Sequence, residues 1–453
     1  MNTKNILTKL LCLLFLFSVS GSLSLKAEVV KKTDIRKVAL NAFSDFSKKA
    51  QNELRIVQEI PVTHQDTALF YVLNFEEGFI IVAADDIVEP VLGYGLTSRF
   101  DFNDIPPALN FLLEGYKEEI VFAKRLNLRA SQEINNKWKD YLDDTPDKER
   151  SSGLGLGTAQ ANVYIAGTYL IETTWGQDKG SADGSTVSYN SYCPTVPQGK
   201  TIVGCGGVAL AQILNYWKCS VHPQGSVSYL HSSLGTISLN FSQQSYNWLN
   251  MVARYANLEN AKLLFHSAVA AKSQFGISST SSFMSDVDSA LSANFGFSNV
   301  ISRDRNYNNY DEWANFLKAE INNRRPVYYM GTAENGANGH SWVVDGYANN
   351  FFHCNWGWRG SHDGWFSLSN LTAVSGYNLN YWHAAIMNIY PTYYTGITLQ
   401  NTSLTSNTYT GYTIRVANCT IQNNANVILK ANCTTEIFGP FTVPVGARLE
   451  ISK

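Results

Sequence analysis

Cysteine is scarce in this chain, and charge is both scarce and balanced. The 453 residues include 7 cysteines and 12 prolines, 16% of residues are charged, and the formal net charge is −2. Small exported domains held by disulfides are much richer in cysteine, so a disulfide scaffold is excluded. No run of basic residues provides the positive surface of a nucleic-acid-binding protein. No Cys and His cluster has the spacing of a zinc site, and we expect no metal or other cofactor.

Long apolar runs are also missing, apart from one near the N-terminus. Lys4 and Lys9 form a positively charged region before the apolar stretch 10–19. Small residues follow this stretch, and Ala27 is a plausible cleavage position. An apolar stretch this short predicts that residues 1–27 are a secretory signal peptide. A single N-terminal membrane anchor remains the alternative. We therefore expect a secreted protein (released, periplasmic or on the cell surface) that meets the membrane only during export.

The length predicts two or three domains, because one core rarely serves so many residues. Residues 28–150 predict a small α+β unit with a helix, a strand hairpin turning at 76–78, and an amphipathic helix at about 108–126. The stretch 140–157 is first charged and then glycine-rich, which is typical of an exposed, easily cut segment or a plain linker. Either interpretation places a domain boundary there.

The remaining chain divides into a large and a small unit. Residues 151–391 have a helical first half and a β second half, and such a pair leaves a cleft between its halves. Residues 392–453 are rich in Thr and Asn with short alternating strands, which predicts a small all-β module, β-sandwich-like, with a stabilising or surface-adhering role. Cys419 and Cys433 lie in this module, and whether they pair stays open.

A single cysteine flanked by glycines, Gly204-Cys205-Gly206-Gly207, opens a mostly apolar segment that predicts a helix. At a helix N-terminus the macrodipole and the free N–H groups favour an anion. A thiolate there has a lowered pKa and serves as a nucleophile. The alternative is a small apolar residue that opens a buried helix.

A cysteine nucleophile needs a base, a group that orients the base, and oxyanion donors. His340 follows a flexible glycine-containing loop and opens an apolar strand, where a histidine is either structural or faces the cleft. Its distance along the chain from Cys205 is typical of papain-like enzymes, whose His lies about 130–150 residues after the Cys. Asn355 follows as an acceptor for the imidazole N–H, and Trp356 can shield that contact. Upstream, Gln177 can offer an N–H to an oxyanion.

Together these segments make the sequence similar to the streptopain family of bacterial cysteine peptidases. The motifs that carry the resemblance in the peptidase half are Trp175-Gly176-Gln177, Cys193-Pro194, Gly204-Cys205, Ala211-Gln212-Ile213, Tyr216-Trp217-Lys218, Gly339-His340-Ser341, Val344-Asp345-Gly346 and Asn355-Trp356-Gly357-Trp358. In the N-terminal unit they are Phe70 to Phe75, Gly78 to Asp86 and Pro90 to Tyr94. The similarity covers roughly residues 30–390, so the C-terminal module lies outside it.

The resemblance implies an α+β fold with a papain-like, two-lobed peptidase domain over 151–391. It also implies that 28–150 is a propeptide that inhibits the enzyme intramolecularly, and that the substrates are proteins or peptides. The residue roles it implies are Cys205 as nucleophile, His340 as general base, Gln177 as oxyanion donor, Asn355 and Trp356 as support for the histidine, and Gly339 and Ser281 as substrate contacts.

One departure concerns the two residues after the cysteine. The family usually has Val-Ala-Thr-Ala after the cysteine, whereas Gly206 and Gly207 begin that stretch here. Each glycine weakens a helix by about 1 kcal/mol relative to alanine, so we expect a looser start of the helix.

Three functions are consistent with these residues. The first is a secreted cysteine endopeptidase made as a zymogen. The second uses the same cysteine and histidine for acyl or peptidyl transfer. The third is a non-catalytic inhibitor or surface-binding protein, which the intact set of Cys, His, Asn and Gln disfavours.

Overall fold

The computed structural model describes most of the chain, in eight stretches. They are 29–143, 167–177, 186–305, 310–333, 339–369, 371–372, 381–391 and 397–452. The predicted signal peptide and most of the predicted linker lie outside these stretches. Within them, none of the helices combines the length and the apolar character needed to cross a membrane.

The described part of the N-terminal unit, 29–143, contains three α-helices and four strands. They are α1 (Lys32–Ser47), β1 (Ile56–His64), β2 (Thr67–Phe75), β3 (Phe79–Ala83), β4 (Val91–Gly95), α2 (Pro107–Arg125) and α3 (Gln132–Leu142). The predicted hairpin is β2 and β3, which pair antiparallel around Gly78. Gly78 has a φ of 90°, a conformation that side chains other than glycine rarely adopt. The predicted amphipathic helix is α2. Pro107 lies in its first turn, where the backbone N–H that proline lacks would have no partner within the helix.

The helical half of the peptidase unit holds the segment that begins with the flanked cysteine. Its elements are β5 (Thr195–Val196), β6 (Gly199–Lys200), α4 (Cys205–Trp217), β7 (Ser226–His231), β8 (Gly235–Asn240), α5 (Leu258–Ala270) and α6 (Met284–Phe295). Helix α4 begins at Cys205, as predicted. Gly204 before it has a φ of 83°, and a Cβ there would lie 2.7 Å from Thr280.

The two glycines that follow Cys205 lie where helix α4 packs most closely against its neighbours. A Cβ on Gly206 would lie 2.6 Å from the Ser282 hydroxyl, and one on Gly207 would lie 2.7 Å from Val203. Larger residues would therefore push the helix away from both contacts. The expected loosening is offset by this close packing, which holds the start of the helix.

The β half supplies most of one long sheet. Its elements are β9 (Ile301–Asp304), α7 (Tyr310–Asn322), β10 (Val327–Ala333), β11 (His340–Ala348), β12 (Phe351–Asn355), β13 (Gly364–Ser367) and β14 (Tyr381–Met387). The ten-stranded sheet has the order β1-β2-β3-β4-β13-β12-β11-β10-β14-β9. Strands from the N-terminal unit and the peptidase unit therefore belong to one sheet.

The junction inside this sheet is the antiparallel pairing of β4 with β13. Gly93 pairs with Phe366, and Tyr94 pairs with Trp365. One apolar core then runs beneath both units and includes Leu109 of α2 together with Phe366. The N-terminal unit is thus part of the peptidase core, whereas its sequence pattern was compatible with a separate domain. Strand patterns do not show which edges will pair, because any apolar strand edge can accept a neighbour.

The C-terminal module differs from the β-sandwich-like arrangement expected of it. Its strands are β15 (Ile397–Gln400), β16 (Ser403–Leu404), β17 (Asn407–Ile421), β18 (Asn426–Thr442) and β19 (Arg448–Ser452). All described pairs in it are parallel, with Asn407 beside Val427 and Val427 beside Leu449. A β-sandwich is built from antiparallel sheets. Here successive coils of chain stack on one another instead, as in a solenoid.

The interior of these coils is apolar and separate from the rest of the protein. Ile414, Val416, Val427 and Leu429 are fully buried in it. Cys419 also faces the interior as a free thiol, close to the Leu399 carbonyl. Cys419 is thus a thiol in the structure and forms no described disulfide.

Candidate active site

A cleft of about 1270 Å³ opens between the start of α4 and strands β10 and β11. Cys205, Gln177, His340, Gly339 and Ser281 all line it. Five of the seven residues chosen from the sequence thus meet in one cavity, although more than 100 positions separate the first from the last in the chain. Such convergence in a cleft between two halves of a domain is the usual arrangement of an active site.

Cys205 lies at the first position of α4, with its thiol enclosed by the cleft. The backbone N–H of Ser341 donates to its Sγ over 3.5 Å. Burial raises the pKa of the thiol, against the lowering effect of the backbone N–H groups of Ser341, Gly206 and Cys205 itself. The sequence predicted a lowered pKa. Desolvation thus outweighs the helix terminus in this state and favours the neutral thiol.

His340 is the first residue of β11 and pairs with Gly331 of β10. Burial lowers its pKa, which favours the neutral imidazole. Within the described stretches no hydrogen bond joins the His340 ring to Cys205. Nucleophile and base therefore share a cleft without forming a charged pair.

A phenylalanine from the N-terminal unit stands beside this histidine. The ring of Phe111, on α2, lies 6.3 Å from the His340 ring, centroid to centroid. It covers Gly331 so closely that a Cβ on this glycine would overlap it. Pro107, at the start of the same helix, lines the cleft. The N-terminal unit thus reaches into the cavity that holds the candidate catalytic residues.

Asn355 and Trp356 lie behind the cleft rather than in it. The Asn355 amide donates to the Thr173 carbonyl over 2.8 Å, and its oxygen accepts from Gln212 Nε2 over 2.9 Å. Trp356 is buried, and its Nε1 donates to the His362 carbonyl over 2.9 Å. Neither residue forms a described hydrogen bond with His340. The expected contact between Asn355 and the histidine is absent here because other partners occupy the amide.

Gln177 is buried in the cleft wall, where its side chain has room to reach a substrate. The carbonyl of Gln177 accepts from Asn190 Nδ2 over 3.2 Å, which fixes the backbone at this point. The adjacent Gly176 bridges Trp358 in an antiparallel fashion. The position suits a donor to a developing oxyanion near Cys205.

Sequence reasoning assigned no role to three other residues of the cleft. Trp358 and Trp382 line it, and the backbone of Ser341 donates to the thiol. Trp358 Nε1 also donates to Asp104 of the N-terminal unit over 3.0 Å. Trp358 belonged to a recognised motif, so a signal was present. Trp382 comes from β14, whose place in the sheet no local pattern reveals.

Side chains that can bind metal ions are not clustered in the described stretches. No group of three or more His, Cys, Asp or Glu residues there could hold a metal ion. The chemistry of the cleft, as described, rests on one thiol, one imidazole and amide N–H groups.

Comparison with known proteins agrees with this arrangement. Residues 184–366 match the profile of the Peptidase C10 family, and residues 27–120 match that of the Spi protease inhibitor. The first match contains Cys205, His340 and Asn355, and the second contains Phe111. The chain is therefore similar to the Peptidase C10 family over residues 184–366. It is a cysteine peptidase with an inhibitor-like propeptide, as the sequence predicted.

Individual relatives show how far the similarity extends. Streptopain of Streptococcus pyogenes is 28% identical over 346 residues, which is 71% of this chain and 80% of streptopain. Thiol protease/hemagglutinin PrtT of Porphyromonas gingivalis is 27% identical over 370 residues, 78% of this chain but 40% of PrtT. A fragment of Prevotella intermedia prointerpain A has a TM-score of 0.56 and 26% identity, and covers 74% of this chain and 98% of the fragment. These matches confirm the papain-like α+β fold with its propeptide.

Proposed function

We propose that this protein is a secreted zymogen of the Peptidase C10 family that hydrolyses internal peptide bonds with Cys205 as nucleophile and His340 as general base. The observation that carries the proposal is the placement of Cys205 at a helix N-terminus, in one cleft with the histidine that opens β11. A helix terminus stabilises a thiolate as soon as the site is hydrated and a cation is near. An imidazolium at His340 supplies that cation.

The proposed reaction follows from these groups. The Cys205 thiolate attacks the peptide carbonyl, and the C=O electron pair moves onto oxygen. The backbone N–H of Cys205 and the side-chain amide of Gln177 stabilise that oxyanion. His340 gives its proton to the leaving amine, which leaves an acyl-enzyme. His340 then takes a proton from water, and attack of the oxygen on the acyl carbon breaks the C–S bond, which releases the acid and restores the thiolate and the imidazolium.

Cleft-lining positions supply the substrate contacts. Gly339 and Ser281 lie on the cleft surface beside the candidate catalytic pair. The backbone of Ser281 pairs with Gln274, which gives this wall a fixed edge for an extended peptide. Asn355 and Trp356 support the histidine segment from behind, through the backbone of β12 and the turn that follows it.

The propeptide keeps this chemistry silent in the described state. Phe111 occupies space next to His340, and both titratable groups are neutral because they are desolvated. Removal of the propeptide would admit water and let the imidazole approach the sulfur. Each charge then stabilises the other, which raises the pKa of His340 and lowers that of Cys205.

We assign the segments of the chain accordingly. Residues 1–27 are the signal peptide, 28–150 the inhibitory propeptide, 151–391 the peptidase domain and 392–453 the C-terminal module. Export follows from the predicted signal peptide, and maturation follows a cut in the 140–157 segment.

The test uses the purified proprotein and its Cys205→Ala variant under reducing conditions. We expect only the wild type to lose roughly its first 150 residues and then to cleave unfolded casein. A matched His340→Ala variant should stay intact as well. Casein cleavage by Cys205→Ala at the wild-type rate would overturn the proposal. If the wild type did not cleave casein even after an added protease had removed roughly its first 150 residues, the inhibitor or surface-binding function would be favoured instead.

A further inference from the structure

Helix α4 carries one fully buried amide among apolar neighbours, that of Gln212. Residues before and after it, such as Ala211 and Ile213, are also fully buried and apolar. A buried amide is destabilising unless its donors and acceptor are satisfied. The partners of this amide therefore indicate why it stands at this position.

The Gln212 amide binds two chain segments that come from different parts of the sequence. Its Oε1 accepts from Thr173 Oγ1 over 3.0 Å and from the backbone N–H of Trp175 over 3.2 Å. Its Nε2 donates to Asn355 Oδ1 over 2.9 Å. Asn355 Nδ2 in turn lies 3.3 Å from Gln212 Oε1 and donates to the Thr173 carbonyl. Three segments thus form one closed hydrogen-bonded network.

Each of these segments ends at a group of the candidate site. Gln212 and Cys205 share one helix, so the thiol is rigidly related to the amide. Trp175 lies two residues before Gln177, the proposed oxyanion donor. Asn355 ends β12, which pairs with the strand that His340 opens. A shift of any one segment relative to the others would change the distances among thiol, oxyanion donor and base.

We infer that Gln212 is a positioning residue that holds the oxyanion segment and the Asn355 segment in register with the Cys205 helix. The inference rests on the proposed function and deepens it, because it assigns the geometry of that site to one amide. Misplacement of oxyanion donors acts on the transition state and leaves ground-state binding nearly unchanged. Loss of one such donor lowers kcat by about 10²–10³. We expect loss of the Gln212 network to lower kcat by about 10- to 100-fold, with KM within about threefold.

The main test compares two substitutions in the same helix. Gln212→Met keeps the length of the side chain and removes all its hydrogen bonds. Asn215→Leu is the matched control, since it removes another buried amide of α4, one that donates to Met251 Sδ and not to the site. Both are expressed as full-length proproteins and trimmed by an added protease where they fail to mature. Active sites are counted with an irreversible thiol-reactive peptide probe, so that unfolded protein does not count.

The expected result is a lowered kcat per labelled site for Gln212→Met once Cys205 has been labelled to completion, and a normal kcat for Asn215→Leu. Equal kcat values for Gln212→Met and wild type, or equal losses in both variants, would overturn the inference. Failure of the proposed function looks different, because the wild type would then be inactive or the Cys205→Ala variant active.

Two further variants keep the inference testable if Gln212→Met does not fold. Thr173→Val removes a single hydrogen bond of the network, and we expect a smaller loss of kcat, about two- to tenfold. Gln212→Glu keeps the acceptor for Thr173 and Trp175, but an ionised carboxylate cannot donate to Asn355 Oδ1, whereas a protonated one can. Its kcat should therefore recover toward the wild-type value as the pH falls. If kcat of Gln212→Glu changed with pH in the same way as kcat of the wild type, the positioning role would be contradicted.

Discussion

The propeptide meets the peptidase unit through a shared sheet and a shared core, whereas the C-terminal module meets it through stacked side chains. On the propeptide side, β4 pairs with β13, and the Tyr116 hydroxyl donates to the Ser367 carbonyl over 2.6 Å. On the other side, the Arg324 guanidinium lies 4.2 Å from the centre of the Phe438 ring, and Arg415 lies over Trp217 at 5.6 Å.

The part that we propose is removed is attached more extensively than the part that we expect to remain. The propeptide, which leaves in the proposed maturation, is embedded in the shared core. The module that we expect to stay has a core of its own. Inhibition therefore depends on more than a plug in the cleft, because release must separate two paired strands and expose apolar surface. We propose that a cut in the linker starts maturation and that the stability of the strand junction then limits its rate.

The largest expected effect comes from the side chain that reaches into the cleft. Phe111→Ala removes a buried ring, and such a change typically costs about 3–5 kcal/mol. The state of the proform in which the propeptide has moved out of the cleft should become much more populated. Labelling of Cys205 and self-maturation should then be faster by tenfold or more. Mass spectrometry over time measures both. Phe102→Ala, which removes an exposed ring from the same unit, should change neither by more than about twofold.

A glycine at the strand junction offers a way to weaken it without altering the propeptide. A Cβ on Gly364 would lie 2.5 Å from the Tyr94 carbonyl oxygen of β4. Overpacking of this kind costs about 1–3 kcal/mol. Gly364→Ala should therefore speed propeptide release, as measured by the time course of size-exclusion profiles after the linker is cut.

The mature Gly364→Ala enzyme provides the control for that experiment. Once β4 has left, nothing from the propeptide opposes the new methyl group. Its kcat and KM should then match those of the wild type. A mature variant with strongly reduced kcat would show that the glycine serves the peptidase itself rather than the junction.

How much of this was predictable from the sequence can be seen around Cys205. The helix start, the hairpin at Gly78 and the strand that His340 opens follow from local patterns, and the structure confirms them. Local patterns could not give the pKa direction of the thiol, because burial by a distant segment decides it. Edge pairing of β4 with β13 is likewise a long-range choice.

The C-terminal module shows the same limit. Short alternating strands were predicted there, whereas β17 and β18 have 15 and 17 residues and pair in parallel. Alternation shows which side chains face inward and leaves open whether the next strand returns antiparallel or coils around. The full burial of Gln212 was not predictable either, because nothing in its sequence motif indicates which groups its amide binds.

A pH effect of intermediate size is expected from Glu119 on α2. Burial raises its pKa to about 7, although the Leu371 N–H donates to it and Arg305 is nearby. A carboxyl whose pKa is raised by association stabilises the associated form at low pH. That contribution is complete below about pH 4.5, the value of the free group. It is lost as the pH rises through about 7, so the propeptide should hold less tightly above neutrality.

Glu119→Gln tests this pH effect in a Cys205→Ala background, where self-cleavage cannot interfere. The amide oxygen can still accept from Leu371. We expect the Tm of the parent proform to fall more steeply between pH 5.5 and 8 than that of the Gln variant, by about 2–4 °C. Parallel Tm curves would mean that Glu119 does not govern the pH dependence of the junction.

The smallest effect is expected at the C-terminal junction. Arg324→Ala removes the stacking on Phe438, and cation–π contacts of this kind contribute about 0.5–1 kcal/mol. Thermal unfolding should shift by a few degrees at most, with casein cleavage unchanged. Loss of half the activity would show that the module acts on the cleft and would remove the contrast between the two junctions.

The most direct test of the account is the pH dependence of Cys205 alkylation by iodoacetamide, before and after propeptide removal. Freshly reduced proform and trimmed enzyme are compared, and the modified peptide is quantified by mass spectrometry. We predict slow alkylation of the proform until the pH exceeds the ordinary thiol pKa of about 8.5. The trimmed enzyme should react rapidly even near pH 6, where an ion-paired thiolate persists. Identical profiles for the two forms would contradict the claim that the propeptide keeps the thiol and the imidazole neutral and apart.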